Sequence, residues 1–381
     1  MIFLIVLLIF AAIFLVAEII IRILISQISS YPDTVFDEKN NLDKFKPFQK
    51  GKYKSPGRNF EGQFYINNEG WNSSRNYFKE KEKVVNRIAC IGSSNTIALQ
   101  INIEDAYPQA TERKLNSLGI KSEVYTFGIS VISIAQVLHL VRYIIKNFEP
   151  DIITITSYSL GGLIISSPLK SRFMTLSVDS KNNIKEILPE DINKLSLFRR
   201  LYRLSVLLKY LNRTYRIRQK IETLSNKLRT ILRQNKMNSN VIATRQNNRD
   251  LLMKYPSYQR KYDIAVRYIY EQLRNISSKH NVKLLFVFYP QSFYSYRNED
   301  FSKISKESES RIQTKSLLTE YSLPYFDLTE TFVKDFEANK IKLDFTDDGH
   351  FNEHGHKVMG EAIAKYLIEN KYLQTTPVTT S

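Results

Sequence analysis

Cysteine is nearly absent from this chain, whose 381 residues include only Cys90. A disulfide needs two cysteines, so an intramolecular disulfide framework and a zinc site built from several cysteines are both excluded. Histidine is also scarce: there are five, and three of them fall between residues 350 and 356. Chemistry that depends on an imidazole is therefore restricted to very few places. The composition, 43% hydrophobic and 24% charged, is that of a folded chain rather than a disordered one.

Acidic residues are outnumbered, 38 against 55 Lys and Arg, which gives a net charge of +17. Such an excess predicts an anionic partner. Residues 193–236 carry +12 of that charge on two amphipathic helical patterns, with Glu222 as their one acidic residue. Three interpretations stay open for this basic stretch: a solvated helix face, a face on anionic lipid headgroups, or a face for an anionic glycan. No zinc finger, RNP motif or basic zipper is present, so the sequence does not favour nucleic-acid binding.

Charge is missing altogether from residues 1–17, and the apolar run continues to about residue 26. A run of this length predicts a single membrane-spanning helix over 1–26. Lys and Arg are absent from the first 21 residues and no small-x-small cleavage site follows, so we expect a retained anchor. Glu18 and Arg22 are four apart and are expected to pair. Charge does not settle the orientation, because large domains are translocated regardless of it.

Strand-like and helix-like patterns alternate after residue 83, which predicts an α/β fold. We expect a three-layer α/β/α sandwich around a mostly parallel sheet, interrupted by a basic helical insertion. The predicted strands lie at 84–91, 123–127, 151–158, 282–290 and near 325, and the main helices at 104–119, 133–147 and 353–369. The predicted segments are a tether and N-terminal extension (27–83), the sandwich (84–164 and 261–373), the insertion (165–260) and a tail (374–381).

The segment IGSSNT, residues 91–96, places Ser94 just past the first predicted strand of the sandwich. Ligands of parallel sheets bind at the carboxyl ends of the strands, so the hydroxyl of Ser94 is a candidate nucleophile. A Gly-Ser-Ser sequence alone is more typical of a turn that caps a helix.

The segment DFTDDGHFNEHGH, residues 344–356, places Asp347 and Asp348 shortly before His350. One turn of chain can then hold an imidazole against a carboxylate, as general-base catalysis requires. Alone, the segment is also typical of a polar turn in which Asn352 caps the last helix.

The two segments together resemble the SGNH (GDSL-type) hydrolase superfamily, which has a serine after the first strand and D-x-x-H near the C-terminus. The resemblance covers residues 60–165 and 262–370, and LFRRLYRLSVLLKYL resembles a helical insertion of membrane-anchored members. It implies Ser94 as nucleophile, His350 as general base and Asp347 as the orienting acid, with Asp348 as the alternative. It also implies backbone N–H groups of Ser94 and Gly128 at the oxyanion, and no metal or organic cofactor.

The resemblance further implies an extracytoplasmic domain that acts on an acylated cell-envelope glycan or lipid. The first expectation is removal or transfer of O-acetyl groups on a polysaccharide. Both hydrolysis and acyl transfer are open at this stage.

The sequence also departs from the family pattern. Ser93 replaces the Asp before the serine, the second block reads Thr126-Phe127-Gly128, and no Asn follows the strand that ends near Tyr158. An oxyanion donor is therefore missing, and its possible substitutes are Asn95, Ser157 and Ser159. A second function class stays open for this reason: a non-catalytic module that binds glycan or scaffolds an envelope assembly.

His350, Glu353 and His354 also match the H-x-x-E-H zinc pattern. Against zinc, Gly349 and Gly355 bracket the motif where a helix only begins, and a third ligand well downstream would be needed. We therefore favour the serine-hydrolase interpretation.

Overall fold

The computed structural model describes residues 2–25, 31–54, 60–82, 84–130, 132–157, 172–191, 205–208, 256–290, 309–346 and 348–374. The chain divides into two compact units. Unit 1 combines residues 1–30 with 191–243, and unit 2 combines residues 31–190 with 244–381. Most of the predicted basic stretch at 193–236 lies outside the described residues.

The described strands are β1 (Thr34–Asp37), β2 (Leu42–Phe45), β3 (Gln49–Lys54), β4 (Glu61–Ile66), β5 (Asn86–Gly92), β6 (Ser122–Gly128), β7 (Ile152–Ser157), β8 (Thr175–Val178), β9 (Ile184–Ile187), β10 (Lys283–Phe288) and β11 (Tyr325–Asp327). The described helices are α1 (Ile2–Ile25), α2 (Ser94–Ile97), α3 (Tyr107–Ser117), α4 (Ile134–Phe148), α5 (Pro256–His280), α6 (Glu309–Glu320), α7 (Thr329–Asn339) and α8 (Glu353–Glu369), with a 3-10 turn at Ile103–Asp105.

The apolar N-terminal segment forms helix α1. The predicted membrane anchor at 1–26 is not supported, since no helix in the described ranges has both the length and the apolar character that a membrane span needs. The predicted pair does form: Arg22 Nε lies 2.9 Å from Glu18 Oε1.

Glu18 also binds the start of a helical turn in the basic stretch. Its carboxylate accepts bonds from Ser205 Oγ at 2.7 Å, from Val206 N at 2.7 Å and from Leu207 N at 3.0 Å. Desolvation raises the pKa of Glu18, but the bonds from Ser205, Leu207, Val206 and Arg22 outweigh it and bring the pKa to about 2. The carboxylate is thus ionised at neutral pH and acts as the N-cap of a segment almost 190 residues away in sequence.

We predict that Glu18→Ala loosens this turn. Loss of an N-cap costs about 1 kcal/mol, so amide exchange at Val206 and Leu207 is expected to rise about fivefold. Hydrogen–deuterium exchange measures this directly, with Arg22→Ala as the matched control that removes the ion pair and keeps the cap. Unchanged exchange in Glu18→Ala would contradict the capping role.

The centre of unit 2 is a five-stranded sheet in which every pairing is parallel, as predicted. Its strand order is β11-β10-β7-β5-β6. Read from β6 to β11 and renumbered by chain order within the sheet, this order is 2-1-3-4-5, the order of flavodoxin-like folds. The strand order reverses between β5 and β7, because β6 is added on one side of β5 and β7 on the other, and ligands of such sheets bind at the carboxyl ends of those two strands.

Helices cover both faces of the sheet, which confirms the predicted α/β architecture. Alternate residues of each strand point to opposite faces. On one face Ala89 and Ile91 of β5 join a core with α4 and α5, and on the other face Ile88 and Cys90 join a core with α3 and α8. Cys90 is fully buried, and its burial raises the pKa of the thiol to about 12.

The segment 27–83, predicted as a tether and N-terminal extension, is folded in its described part. It contains two antiparallel hairpins, β1–β2 and β3–β4. Trp71 is 1% exposed and packs edge-on against Phe127 of the central sheet. Asn67 is fully buried and accepts bonds from the N–H groups of Glu69 and Trp71, which fixes the turn that carries the tryptophan. The many Asn residues therefore build turns of a folded layer.

At both ends of the segment 165–260, predicted as a helical insertion, the structure contains other elements. Strands β8 and β9 form a hairpin whose residues Leu176 and Val178 are buried in the core. Asp179 accepts bonds from the N–H groups of Lys181 and Asn183 and so fixes the hairpin turn. At the other end, α5 already begins at Pro256.

Candidate active site

The candidate nucleophile lies at the carboxyl end of β5, beside the point where the strand order reverses. Ser93 lies between the end of β5 and the four-residue helix α2, which begins at Ser94. Both serines are half-buried. The short helix closes on Ala98, whose φ of 55° is left-handed. This tight strand–turn–helix places Ser94 at the carboxyl edge of the sheet.

Glycine at position 92 is required by a cluster of buried hydroxyls. A Cβ there would lie 1.9 Å from Thr96 Oγ1 and 2.3 Å from Thr156 Oγ1. Those two hydroxyls and that of Tyr107 form a closed triangle with distances of 3.0 to 3.1 Å. The triangle connects α2, β7 and α3, so it fixes the helix that starts at Ser94 against the sheet.

Gly128, the predicted second oxyanion donor, ends β6 and is the register partner of Gly92. A Cβ at Gly128 would lie 2.4 Å from the backbone nitrogen of Ile97, so only glycine allows β6 to approach α2 so closely. The structure therefore places Gly128 at the same edge of the sheet as Ser94.

The candidate base is oriented by a carboxylate. His350 Nδ1 is hydrogen-bonded to Asp348 Oδ1, which also accepts the His350 backbone N–H at 3.2 Å. Asp348 is 6% exposed, whereas the His350 side chain is 25% exposed. A donating Nδ1–H leaves Nε2 unprotonated, which is the tautomer of a general base. Asp347, the first choice from the sequence, lies outside the described residues.

A hydrogen bond connects the nucleophile turn to the loop of the candidate base. Asn95 Oδ1 accepts the backbone N–H of Phe351 at 3.1 Å, and both side chains are buried. The residue after Ser94 is thereby bound to the residue after His350. Among the contacts of the described residues there is no hydrogen bond from Ser94 to His350 itself, and such bonds are often long before substrate binds.

The other two histidines of the cluster have separate partners. His354 Nε2 lies 2.6 Å from Asp335 Oδ2 on α7. His356 Nδ1 accepts the Tyr107 backbone N–H at 3.1 Å, and its ring is stacked on that of Tyr107. Within the part of the chain that the structure describes, no three His, Cys, Asp or Glu side chains are grouped as metal ligands. The H-x-x-E-H spacing therefore brings no such set together there.

His356 predicts a pH dependence of stability. Burial lowers its pKa to about 3, with a further lowering from His350, whereas an unfolded histidine titrates near 6.5. Between those values the unfolded chain binds a proton that the folded chain does not, so acidification lowers the stability. We expect Tm to fall from pH 7 to pH 4.5, and His356→Gln to flatten that slope. The matched control is His354→Gln, and equal slopes in wild type and His356→Gln would contradict the assignment.

The three residues predicted as substitutes for the missing oxyanion donor differ in where they lie. Ser157 ends β7, is 3% exposed and gives its carbonyl to Tyr289 N at 3.3 Å, whereas Ser159 lies outside the described residues. Asn95 Oδ1 accepts the Phe351 N–H, and the donor of this side chain is its amide nitrogen.

Sequence reasoning missed Tyr289. It follows β10 and lies 4% exposed, with its hydroxyl 3.5 Å from Ser93 Oγ and its ring 5.1 Å from that of Phe351. Arg311 Nη1 donates to its carbonyl at 3.2 Å. The one feature of the sequence that could have indicated Tyr289 is its position at the carboxyl end of a predicted strand, where ligands of parallel sheets bind.

No family model and no curated protein matches the chain. Solved structures that are similar include a two-domain esterase (CEX) active on acetylated mannans, at 12% identity and a TM-score of 0.37, with 78% of this chain and 53% of that chain covered. The chain thus spans about half the length of that esterase. A putative lipolytic protein of the G-D-S-L family from Desulfitobacterium hafniense DCB-2 is 11% identical, with a TM-score of 0.33 and coverage of 73% and 98%. Esterase EstA from Pseudoalteromonas sp. is 11% identical, with a TM-score of 0.35 and coverage of 75% and 98%.

Proposed function

We propose that this chain is an SGNH-type serine esterase that hydrolyses an acyl ester on a glycan, with Ser94, His350 and Asp348 as its catalytic residues. The observation that carries the proposal is the Asn95–Phe351 hydrogen bond. It fixes the turn that bears a half-buried serine against the loop that bears a carboxylate-oriented histidine, at the edge of the sheet where ligands bind.

The reaction follows from that arrangement. Ser94 Oγ attacks the ester carbonyl carbon while His350 Nε2 takes its proton, and Asp348 stabilises the imidazolium. The C–O bond to the sugar breaks, and the leaving oxygen takes the proton from Nε2. Water then attacks the acyl-serine, again giving a proton to His350, and the carboxylic acid and free Ser94 result. A sugar hydroxyl in place of water would make the same intermediate the donor of an acyl transfer.

The oxyanion is bound by the backbone N–H groups of Ser94 and Gly128, and we assign the third donor to Asn95 Nδ2. Its amide group is fixed through Oδ1 by the Phe351 N–H, and Asn95 directly follows Ser94 in the chain. This donor takes the place of the asparagine that the third block of the family would supply.

Asn95→Asp tests the third donor, because aspartate keeps an acceptor for Phe351 N–H and lacks the amide donor. Loss of one oxyanion donor lowers kcat about 100- to 1,000-fold, and we expect that loss with little change in KM. Thermal unfolding of the variant separates this effect from loss of fold. A folded Asn95→Asp protein with wild-type kcat would place the donor elsewhere.

Labelling with a fluorophosphonate probe tests the proposed function as a whole. We expect covalent modification that maps to Ser94 by peptide mass spectrometry, together with release of acetate from O-acetylated oligosaccharides. A folded protein that stays unlabelled between pH 6 and pH 9 would favour the alternative, a non-catalytic SGNH-like module that binds glycan.

A further inference from the structure

Four aromatic rings contact one another in sequence: Tyr31, Tyr53 and Phe60 of the N-terminal extension, and Phe345 of the loop before α8. Ring centroids are 6.0 Å apart between Tyr31 and Tyr53, 6.1 Å between Tyr53 and Phe60, and 5.1 Å between Phe60 and Phe345. Tyr31 is 47% exposed, Tyr53 and Phe345 are half-buried, and Phe60 is buried beneath them. We call this set the aromatic row.

One end of the aromatic row belongs to the loop of the candidate base. The Phe345 backbone N–H donates to the His350 carbonyl at 3.0 Å, and the Phe345 carbonyl accepts the Asp348 N–H at 3.2 Å. The ring of Phe345 is therefore fixed by the same short loop that orients the catalytic imidazole.

The other end reaches the loop of the second oxyanion donor. The Tyr31 hydroxyl interacts with the Ser130 side chain, two residues after Gly128. The ion pair between Arg172 and Asp43 lies close to the same hydroxyl. The exposed end of the row is thus bordered by polar and charged groups.

The hairpin beneath the row is also fixed to the nucleophile turn. A Cβ on Gly62 would lie 2.3 Å from the carbonyl oxygens of both Leu99 and Ile101, so β4 lies directly on the segment that follows α2. Asn72 Nδ2 donates to the carbonyl of Ile97, the last residue of α2, at 2.7 Å. The extension therefore contacts all three loops that build the candidate site, and its geometry is coupled to theirs.

We propose that the aromatic row is a binding subsite for the saccharide chain that carries the scissile ester. This inference rests on the proposed function and extends it, since it assigns the sugar side of the substrate to the N-terminal extension. Sugar rings present C–H groups on their faces and hydroxyls at their edges, which suits tyrosine rings bordered by polar groups. An acyl chain binds best in an enclosed apolar channel, whereas Tyr31 is 47% exposed and lies beside an ion pair.

The test compares a small ester with a polymeric one. In Tyr31→Ala and Tyr53→Ala we expect the loss of kcat/KM for p-nitrophenyl acetate to be much smaller than the loss for a polymeric ester. On O-acetylated xylo- and manno-oligosaccharides we expect kcat/KM to fall at least tenfold, through KM. Phe78→Ala is the matched control, because Phe78 is an aromatic residue outside the row with 59% exposure. An equal loss on both substrates, or a loss in Phe78→Ala of the same size, would overturn the subsite.

A second measurement separates failure of the subsite from failure of the proposed function. Affinity electrophoresis of the Ser94→Ala protein in gels containing those oligosaccharides coupled to the matrix needs no catalysis. Retardation that is lost in Ser94→Ala/Tyr31→Ala supports the subsite even if esterase activity is absent. No retardation in any of the gels, or binding of phosphatidylcholine vesicles that depends on Tyr31, would overturn it.

Discussion

Replacing Ser94 by alanine should abolish ester hydrolysis, whereas replacing its neighbour Ser93 should leave most of it. The two serines are adjacent and equally half-buried, so they form a matched pair. Removal of the nucleophile of a serine hydrolase costs about 10⁶-fold in kcat, because the acyl-enzyme cannot form. Ser93 precedes α2, and its Oγ lies 3.5 Å from the hydroxyl of Tyr289, which follows β10. Ser93→Ala therefore removes a side contact and keeps the nucleophile.

Initial rates with p-nitrophenyl acetate and gel detection of the fluorophosphonate label measure both variants. A label that persists in Ser94→Ala and disappears in Ser93→Ala would identify Ser93 as the nucleophile. Equal loss in both variants, with unchanged thermal unfolding, would indicate that the turn acts as a unit and that neither hydroxyl can be assigned alone.

The central sheet is predictable from the sequence because its strands are buried on both faces. The β5, β7 and β10 segments are short apolar runs flanked by turn residues, and each was placed within two residues of its observed bounds. The N-terminal hairpins are not predictable in this way. Strand β3 reads Gln-Lys-Gly-Lys-Tyr-Lys, so its sequence resembles a polar linker, and its partner β4 supplies the apolar face.

The same contrast holds within the candidate site. Ser94 and His350 stand in recognisable local segments, and strand order then brings their loops to one edge of the sheet. Asn95 and Tyr289 act through contacts across the fold, with Phe351 and Ser93, that no local pattern encodes. The aromatic row is likewise assembled from three separate parts of the chain, so spacing alone does not reveal it.

The choice between Asp347 and Asp348 shows what the sequence leaves open and yields the second large effect. Both carboxylates stand within three residues of His350 in the sequence, and spacing permits either. In the structure Asp348 binds Nδ1 of the ring and the backbone N–H of the same residue. We therefore expect Asp348→Asn to lower kcat about 10⁴-fold, since an amide at that position favours the wrong imidazole tautomer. Asp347→Asn, which removes the same charge one residue away, should retain near-wild-type kcat.

Steady-state kinetics on both variants provide the first readout, and the proton NMR signal of the His350 Nδ1–H provides the second. That signal should be strongly downfield in wild type and in Asp347→Asn, and lost in Asp348→Asn, because only a carboxylate acceptor holds this proton. Both variants remove one negative charge from the same loop, so a general electrostatic effect would lower their rates alike. A large loss confined to Asp347→Asn would instead make Asp347 the orienting acid and reduce the Asp348 contact to support of the loop.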